Sequence, residues 1–222
     1  MKLYIYLKNP SQYIEKIRSA LAQIDCSVEI ENEQIVIATS VFTQNLIDVS
    51  DNDTVWKIGK MVVEFIDIIN GAAIIEHFSL DKIELDHIKY EDNNGNKLHL
   101  PSIAKLSGSL PPFLGSKPDI SNIIPLALKS ETVAKVLRLC SKELDWSNLY
   151  RIWEVISEDE RGLVNDQIKT FKGSANCSLV SGDSSRHGKI NVNMPNKTMS
   201  LSQAQNMLKG IVSDWIFYKK NT

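Results

Sequence analysis

The chain has 222 residues, 43% of them apolar and 23% charged, a composition that supports a buried core and argues against a disordered chain. Its formal net charge of −2 is unevenly divided: residues 1–119 carry 17 acidic and 11 basic side chains (−6), and residues 120–222 carry 10 and 14 (+4). This asymmetry favours an anionic partner for the second half, and the absence of a long apolar run or a signal-peptide pattern indicates a cytoplasmic protein without a membrane span.

Short strands and two helices are predicted for the N-terminal half. Residues 3–7 alternate as a strand does, and an amphipathic helix follows them. The segments SVEIE and QIVIAT predict a hairpin around residues 31–33. A second helix, with an apolar stripe over residues 55–69, is expected to end at Asn70-Gly71, and a second hairpin is predicted around Asn94-Gly95.

A domain boundary is predicted where proline and glycine concentrate, in the segment SGSLPPFLGSKPDISNIIP. Proline removes a backbone donor and disfavours helix in the residue before it, so this segment is not expected to continue a regular element. We predict an N-terminal α+β domain over residues 1–106, a linker over 107–122 and a C-terminal helical domain over 123–222. The expected fold class is α+β, with antiparallel hairpins in the first domain and an α-helical bundle in the second.

Helical periodicity dominates the C-terminal half. One predicted face contains Val133, Val136, Leu137 and Cys140, and another contains Trp146, Leu149, Tyr150, Trp153 and Ile156. The last helix is preceded by a capping box, Ser200 with Gln203, and we expect its apolar stripe to bury Trp215. The aromatic residues at 146, 150 and 153 are therefore interpreted as core rather than as a platform for stacked bases.

The run FKGSANCSLVSGDSSRHG, from Phe171 to Gly188, is the strongest candidate for a functional site. Arginine clamps a phosphate or carboxylate through its planar fork, and histidine exchanges protons near neutral pH, so Arg186 and His187 form the best catalytic pair. Adjacent residues share a site only within an irregular turn. The predicted ligand-binding residues are Asn176, Ser181, Gly182, Asp183 and Arg186.

A structural alternative for the same run stays open. Asp183 and Ser184 are good helix caps, and Arg186 could brace a loop carbonyl instead of a ligand. Elsewhere, His87 and His99 lie on the two strands of the second predicted hairpin, where cross-strand packing is favoured over metal binding because a third ligand is missing. Three widely spaced cysteines fit neither a disulfide framework nor a zinc site, and we expect no metal and no cofactor.

Several segments together resemble a family of uncharacterised bacterial proteins, some of which carry the MauJ label. The matching segments are INGAA, LDWSNLYRIWEVI, FKGSAN, SGDSSRHG and the closing capped helix. The resemblance implies a bacterial setting and draws attention to Asn176, Gly182, Arg186 and His187. It implies no particular substrate.

The C-terminal region is also similar to HEPN domains, helical bundles that act as ribonucleases or nucleotide-binding partners in bacterial defence and toxin systems. In that family an arginine and a histidine a few residues apart open a late helix, and two subunits bring their pairs together on RNA. In this chain Arg186 and His187 are adjacent, and Gly182 stands where the usual spacing would place the arginine.

Two functional hypotheses follow from these residues and resemblances. The first is a bacterial binding protein whose helical domain engages an anionic ligand, a nucleotide or RNA, or else a protein partner, through residues 171–188. The second is a HEPN-like ribonuclease that works without metal, in which Arg186 stabilises charge on the phosphate and His187 transfers protons. The HEPN resemblance implies a homodimer for the second hypothesis.

Overall fold

The computed structural model describes residues 2–8, 14–31, 34–40, 52–76, 83–91, 95, 97–101, 120–159, 166–187 and 193–221. They form an antiparallel sheet from the first half of the chain and a set of helices from the second, which confirms the α+β class. Within these residues, no helix combines the length and the apolar character that a bilayer span requires.

Five strands build the sheet in the described part of the chain. They are β1 (Lys2–Lys8), β2 (Cys26–Glu31), β3 (Gln34–Thr39), β4 (Glu84–Glu91) and β5 (Lys97–Pro101), in the order β2-β3-β1-β4-β5. All neighbours are antiparallel, and both predicted hairpins, β2–β3 and β4–β5, are confirmed. The central strand β1 alternates as predicted, because Leu3, Ile5 and Leu7 belong to the main core cluster and Tyr4 and Tyr6 do not.

The helices follow in chain order. They are α1 (Ile14–Leu21), α2 (Asn52–Glu76), α3 (Ile120–Lys129), α4 (Glu131–Cys140), α5 (Trp146–Asp159), α6 (Asp166–Asn176), α7 (Ser178–Ser181) and α8 (Leu201–Asn221). The predicted capping box before α8 is confirmed: the Ser200 amide donates to Gln203 Oε1 over 2.7 Å, and the Gln203 amide donates to Ser200 Oγ over 3.2 Å. Trp215 is buried in the core, as its place on the stripe predicts.

The predicted end of α2 at Asn70-Gly71 is wrong, because the helix continues to Glu76. Both residues serve packing instead of termination. The Asn70 side chain donates to the carbonyl oxygen of Ile83 and accepts from its amide, each over 3.0 Å. A Cβ at Gly71 would lie 2.0 Å from the carbonyl oxygen of Leu137 in α4, so only glycine permits this close approach of the two helices.

One continuous cluster of buried side chains extends from Leu3 in β1 to Ile216 in α8. Helix α2 helps to make this cluster continuous, since it contacts β4 of the sheet and the helices α3, α4 and α8. Positions 107–119 of the predicted linker lie outside the described residues, and α3 begins within its last three positions, 120–122. The division into two domains therefore stays a prediction. The described parts of residues 1–106 and 123–222 contribute side chains to the same buried cluster.

Candidate functional site

Most of the run from Phe171 to Gly188 is helical. It covers the second half of α6, all of α7 and a 3-10 turn over Gly182–Ser184. The chain then bends at Arg186 and His187, and Gly188 lies outside the described residues. The irregular turn that would allow these two side chains to share a site is therefore confined to the end of the run.

Hydroxyl groups in this run bind the backbone of the run itself. Ser181 Oγ donates to the carbonyl oxygen of Cys177 over 2.9 Å, and Ser185 Oγ donates to that of Ala175 over 3.4 Å. The Ala175 carbonyl also accepts the amide of Arg186 over 3.0 Å. These bonds fasten the bend to the end of α6 and leave Ser181, a buried residue, no exposed hydroxyl for a ligand.

The Arg186 side chain crosses over α5 and contacts three groups. Its Nη2 donates to Glu154 Oε1 over 2.6 Å, its guanidinium carbon lies 4.1 Å from the centroid of the Tyr150 ring, and its Nη1 lies 3.5 Å from His187 Nε2. The side chain remains 34% exposed. One edge of the guanidinium is thus held by a carboxylate, and the other edge faces the histidine and solvent.

The remaining predicted ligand residues surround this bend unevenly. Asn176 ends α6 next to the carbonyl that anchors Arg186, and it is half-buried. Gly182 has a φ of 56°, a left-handed backbone conformation that favours glycine, and open space surrounds it. Asp183 is exposed, and no ion pair joins it to Arg186 in the described part of the chain. The bend therefore brings Arg186 and His187 into contact, whereas Ser181 is buried and Gly182 and Asp183 are exposed.

A second cation, which sequence reasoning missed, lies beside Arg186 on the surface of α5. Lys172 Nζ is 4.6 Å from the centroid of the Trp153 ring, and the Trp153 and Tyr150 rings meet edge to face with centroids 5.2 Å apart. Two adjoining aromatic rings thus support two cations. The sequence signal for this arrangement was the spacing of three between Tyr150 and Trp153 on one helical face, together with Lys172 in the run from Phe171 to Gly188. We call Lys172, Arg186 and His187 the cationic patch.

The three cysteines are free and buried, and burial raises the pKa of the Cys140 thiol to about 12, which disfavours the reactive thiolate. The described residues contain no group of three or more histidine, cysteine or acidic side chains that could hold a metal ion. What the site offers chemically is a guanidinium, an ammonium and an imidazole on one surface.

Comparisons with protein-family models, with curated proteins and with solved structures find no match for this chain. The resemblances to MauJ-labelled proteins and to HEPN domains therefore stay predictions.

Proposed function

We propose that the protein is a bacterial cytoplasmic binding protein that engages an anionic ligand, a nucleotide or RNA, through the cationic patch. The observation that carries the proposal is the surface contact between Arg186 Nη1 and His187 Nε2 at 3.5 Å, with the guanidinium stacked on Tyr150. A phosphate next to the outer edge of the guanidinium accepts hydrogen bonds from Nη1 and reaches the imidazole at the same time.

Electrostatics supports a phosphate at this position. Residues 120–222 carry a net charge of +4, and Lys172 adds a second cation to the same surface of α5. Glu154 is the opposing charge, since it already accepts from Arg186 over 2.6 Å. A ligand phosphate therefore either binds beside Glu154 or takes its place on the guanidinium, and in both cases Glu154 weakens binding.

The proposal is tested with a fluorescein-labelled single-stranded RNA of 12 nucleotides and labelled ATP, by fluorescence anisotropy at two salt concentrations. Arg186→Ala is expected to abolish binding, and Arg186→Lys to restore it only in part because a point charge cannot reproduce the fork. Arg151→Ala is the matched control, because Arg151 is an exposed arginine of the same helix α5. Unchanged binding by Arg186→Ala would exclude the cationic patch as the site.

Loss of binding must be separated from loss of folding. Arg186 makes an ion pair that is partly exposed and a contact with a tyrosine ring, contributions of up to ~1 kcal/mol each. We therefore expect Arg186→Ala to lower the free energy of unfolding by about 1–2 kcal/mol, which leaves the protein folded at room temperature. Urea melts of each variant, under the buffer conditions of the binding assay, supply the fraction folded.

Glu154→Gln provides an independent test with the opposite sign. It removes the charge that competes for Arg186 and keeps a side chain of the same size. Binding of the labelled RNA is expected to tighten by about two- to fivefold, the factor that corresponds to a partly exposed ion pair. If Arg186 serves only to fasten the bend, the substitution lowers stability and leaves anion binding unchanged.

A second candidate function is a metal-independent ribonuclease, favoured by the same contact between Arg186 and His187. In this reaction His187 removes the proton from a ribose 2′-hydroxyl, and the oxygen attacks the phosphorus. The bond between phosphorus and the 5′-oxygen of the next nucleotide then breaks, and His187 returns the proton to that oxygen. Arg186 stabilises the charge on the phosphate. Labelled total RNA is incubated with the protein in EDTA, and the expected products carry 2′,3′-cyclic phosphates and disappear with His187→Ala. If the RNA stays intact but is still bound, the ribonuclease function is excluded and only the binding function remains.

A further inference from the structure

A second surface with ligand-binding chemistry lies on the face of the sheet that Tyr4 and Tyr6 occupy, opposite to the main core. A cleft of about 510 Å³ opens there, across strands β1, β2, β4 and β5. We call it the sheet-face cleft. The side chains that line it include Tyr4, Tyr6, Glu31, Lys89, Glu91 and His99.

Three rings form a stack that crosses the sheet and ends beside the cleft. The centroids of Tyr6 and His87 are 4.1 Å apart with 12° between the ring planes, and those of His87 and His99 are 4.6 Å apart with 15°. Strand β5 is an edge of the sheet, and His99 is exposed. The last ring of the stack is therefore accessible to a further planar group.

Carboxylates supply the polar groups of the cleft. Tyr6 Oη donates to Glu31 Oε2 over 3.0 Å, and Tyr4 Oη donates to Glu91 Oε2 over 3.4 Å. Burial and then the charge of Glu91 raise the pKa of Tyr4. An ionised carboxylate only accepts hydrogen bonds, and each has more lone pairs than one hydroxyl occupies. The cleft therefore favours a ligand that carries donors and positive charge.

Lys89 already places one cation in the cleft. Its Nζ lies 4.2 Å from the centroid of the Tyr6 ring and donates to Tyr6 Oη over 3.2 Å. The ring thus holds a cation in the protein's own structure. The lining of the cleft includes one lysine, Lys89, and two glutamates, Glu31 and Glu91. These charges sum to −1, consistent with the net −6 of residues 1–119.

From this arrangement we propose that the sheet-face cleft binds a guanidinium group, presented by an arginine side chain of a partner polypeptide. A guanidinium is planar and stacks on an exposed ring such as His99 while its in-plane N–H groups donate to Glu31 or Glu91. An ammonium supplies charge without stacking, and a phosphate is repelled by both glutamates. The site is separate from the cationic patch in residues and in the charge of its ligand.

The test measures binding of an acetylated tetra-arginine peptide by two-dimensional NMR of the ¹⁵N-labelled protein, with tetra-lysine and tetra-glutamate peptides for comparison. We expect tetra-arginine to bind more tightly than tetra-lysine and to shift the amides of Tyr4, Lys89 and His99. Equal affinity for the two basic peptides, or shifts elsewhere only, would show general attraction between charges and overturn the proposal.

Substitutions of the glutamates and of the lysine in the cleft are expected to change tetra-arginine binding in opposite directions. Glu31→Gln and Glu91→Gln are each expected to weaken tetra-arginine binding by about two- to fivefold. Lys89→Met is expected to tighten it, because the internal cation that competes for the Tyr6 ring is removed. Lys135→Met, at an exposed position of α4, is the matched control and leaves binding unchanged. Weaker tetra-arginine binding with Lys89→Met would show that Lys89 does not compete with the ligand for the Tyr6 ring and would overturn the assignment, whatever the glutamine variants do.

Discussion

Replacing Gly71 with alanine tests the close crossing of α2 and α4 at the centre of the fold. A Cβ at this position would lie 2.0 Å from the carbonyl oxygen, 2.6 Å from the carbonyl carbon and 2.9 Å from the Cα of Leu137. All three are backbone atoms, so no side-chain rotation relieves the overlap. The two helices must move apart by about 1 Å or more before a methyl group fits.

Two effects of opposite sign set the magnitude. Alanine is a better helix former than glycine by about 1 kcal/mol, which favours the variant. Forcing a group into a packed interior costs about 1–3 kcal/mol and more where the backbone has to shift. Because the overlap is with backbone, we expect a net loss of at least ~2 kcal/mol. For a chain of this size that lowers the thermal midpoint by roughly 4–8 °C.

Gly210 supplies the matched control, because it is a glycine in the middle of a helix without the close contact. It is exposed in α8, and apart from its chain neighbours and the nearby backbone of its own helix, no described atom lies within 4 Å of the position that its Cβ would take. Gly210→Ala is therefore expected to stabilise the protein by about 0.5–1 kcal/mol. Thermal and urea melts of both variants measure the difference. A Gly71→Ala protein as stable as Gly210→Ala would refute the close packing of α2 on α4.

Three further substitutions test the interior. Trp215→Ala is expected to cost about 3–5 kcal/mol, since this buried ring also donates from Nε1 to Asp159 over 2.8 Å; an unchanged urea midpoint would show that α8 is not packed in the core. Burial alone would raise the pKa of Asp159, but its bonds with Lys219 and Trp215 outweigh burial and lower it. The stability that the Asp159 carboxylate contributes is therefore present above its unfolded pKa of about 3.9 and is lost as the pH falls through the lower folded pKa. The urea midpoints of wild type and Asp159→Asn should converge below about pH 4. Asn70→Ala leaves the buried amide and carbonyl of Ile83 without their side-chain partner and should cost about 1–3 kcal/mol in the same melts.

Local sequence patterns predicted the strands and hairpins well, because the information needed for them is local. Alternating apolar and acidic residues mark β2, a short apolar run marks β3, and their antiparallel register follows from a short connection. The position of β1 between β3 and β4 was not predicted, since it depends on pairing between segments more than 25 residues apart. The predicted end of α2 at Asn70-Gly71 was wrong for a related reason. These two residues contact Ile83 and Leu137, which only the tertiary structure brings near.

The candidate site was located by sequence but its internal contacts were not. Serine residues between small residues are equally good as ligand donors and as local caps, and the structure directs Ser181 and Ser185 to backbone carbonyls. The partners of Arg186 are Glu154 and Tyr150, which lie on a different helix, and their approach depends on how α6 and the bend pack against α5. No periodicity encodes that arrangement.

The two proposed sites share one local geometry with opposite consequences. In the sheet-face cleft a lysine lies over a tyrosine, Lys89 over Tyr6, and two glutamates dominate the surroundings. In the cationic patch Arg186 lies over Tyr150 beside a single glutamate, with Lys172 on the adjoining ring. A cation over an aromatic ring is therefore not diagnostic of ligand charge by itself; the balance of the neighbouring charges is. Removing the cation should strengthen ligand binding where carboxylates are in excess and abolish ligand binding where cations are in excess. If both assignments hold, Lys89→Met therefore tightens binding of its ligand and Arg186→Ala abolishes binding of its own.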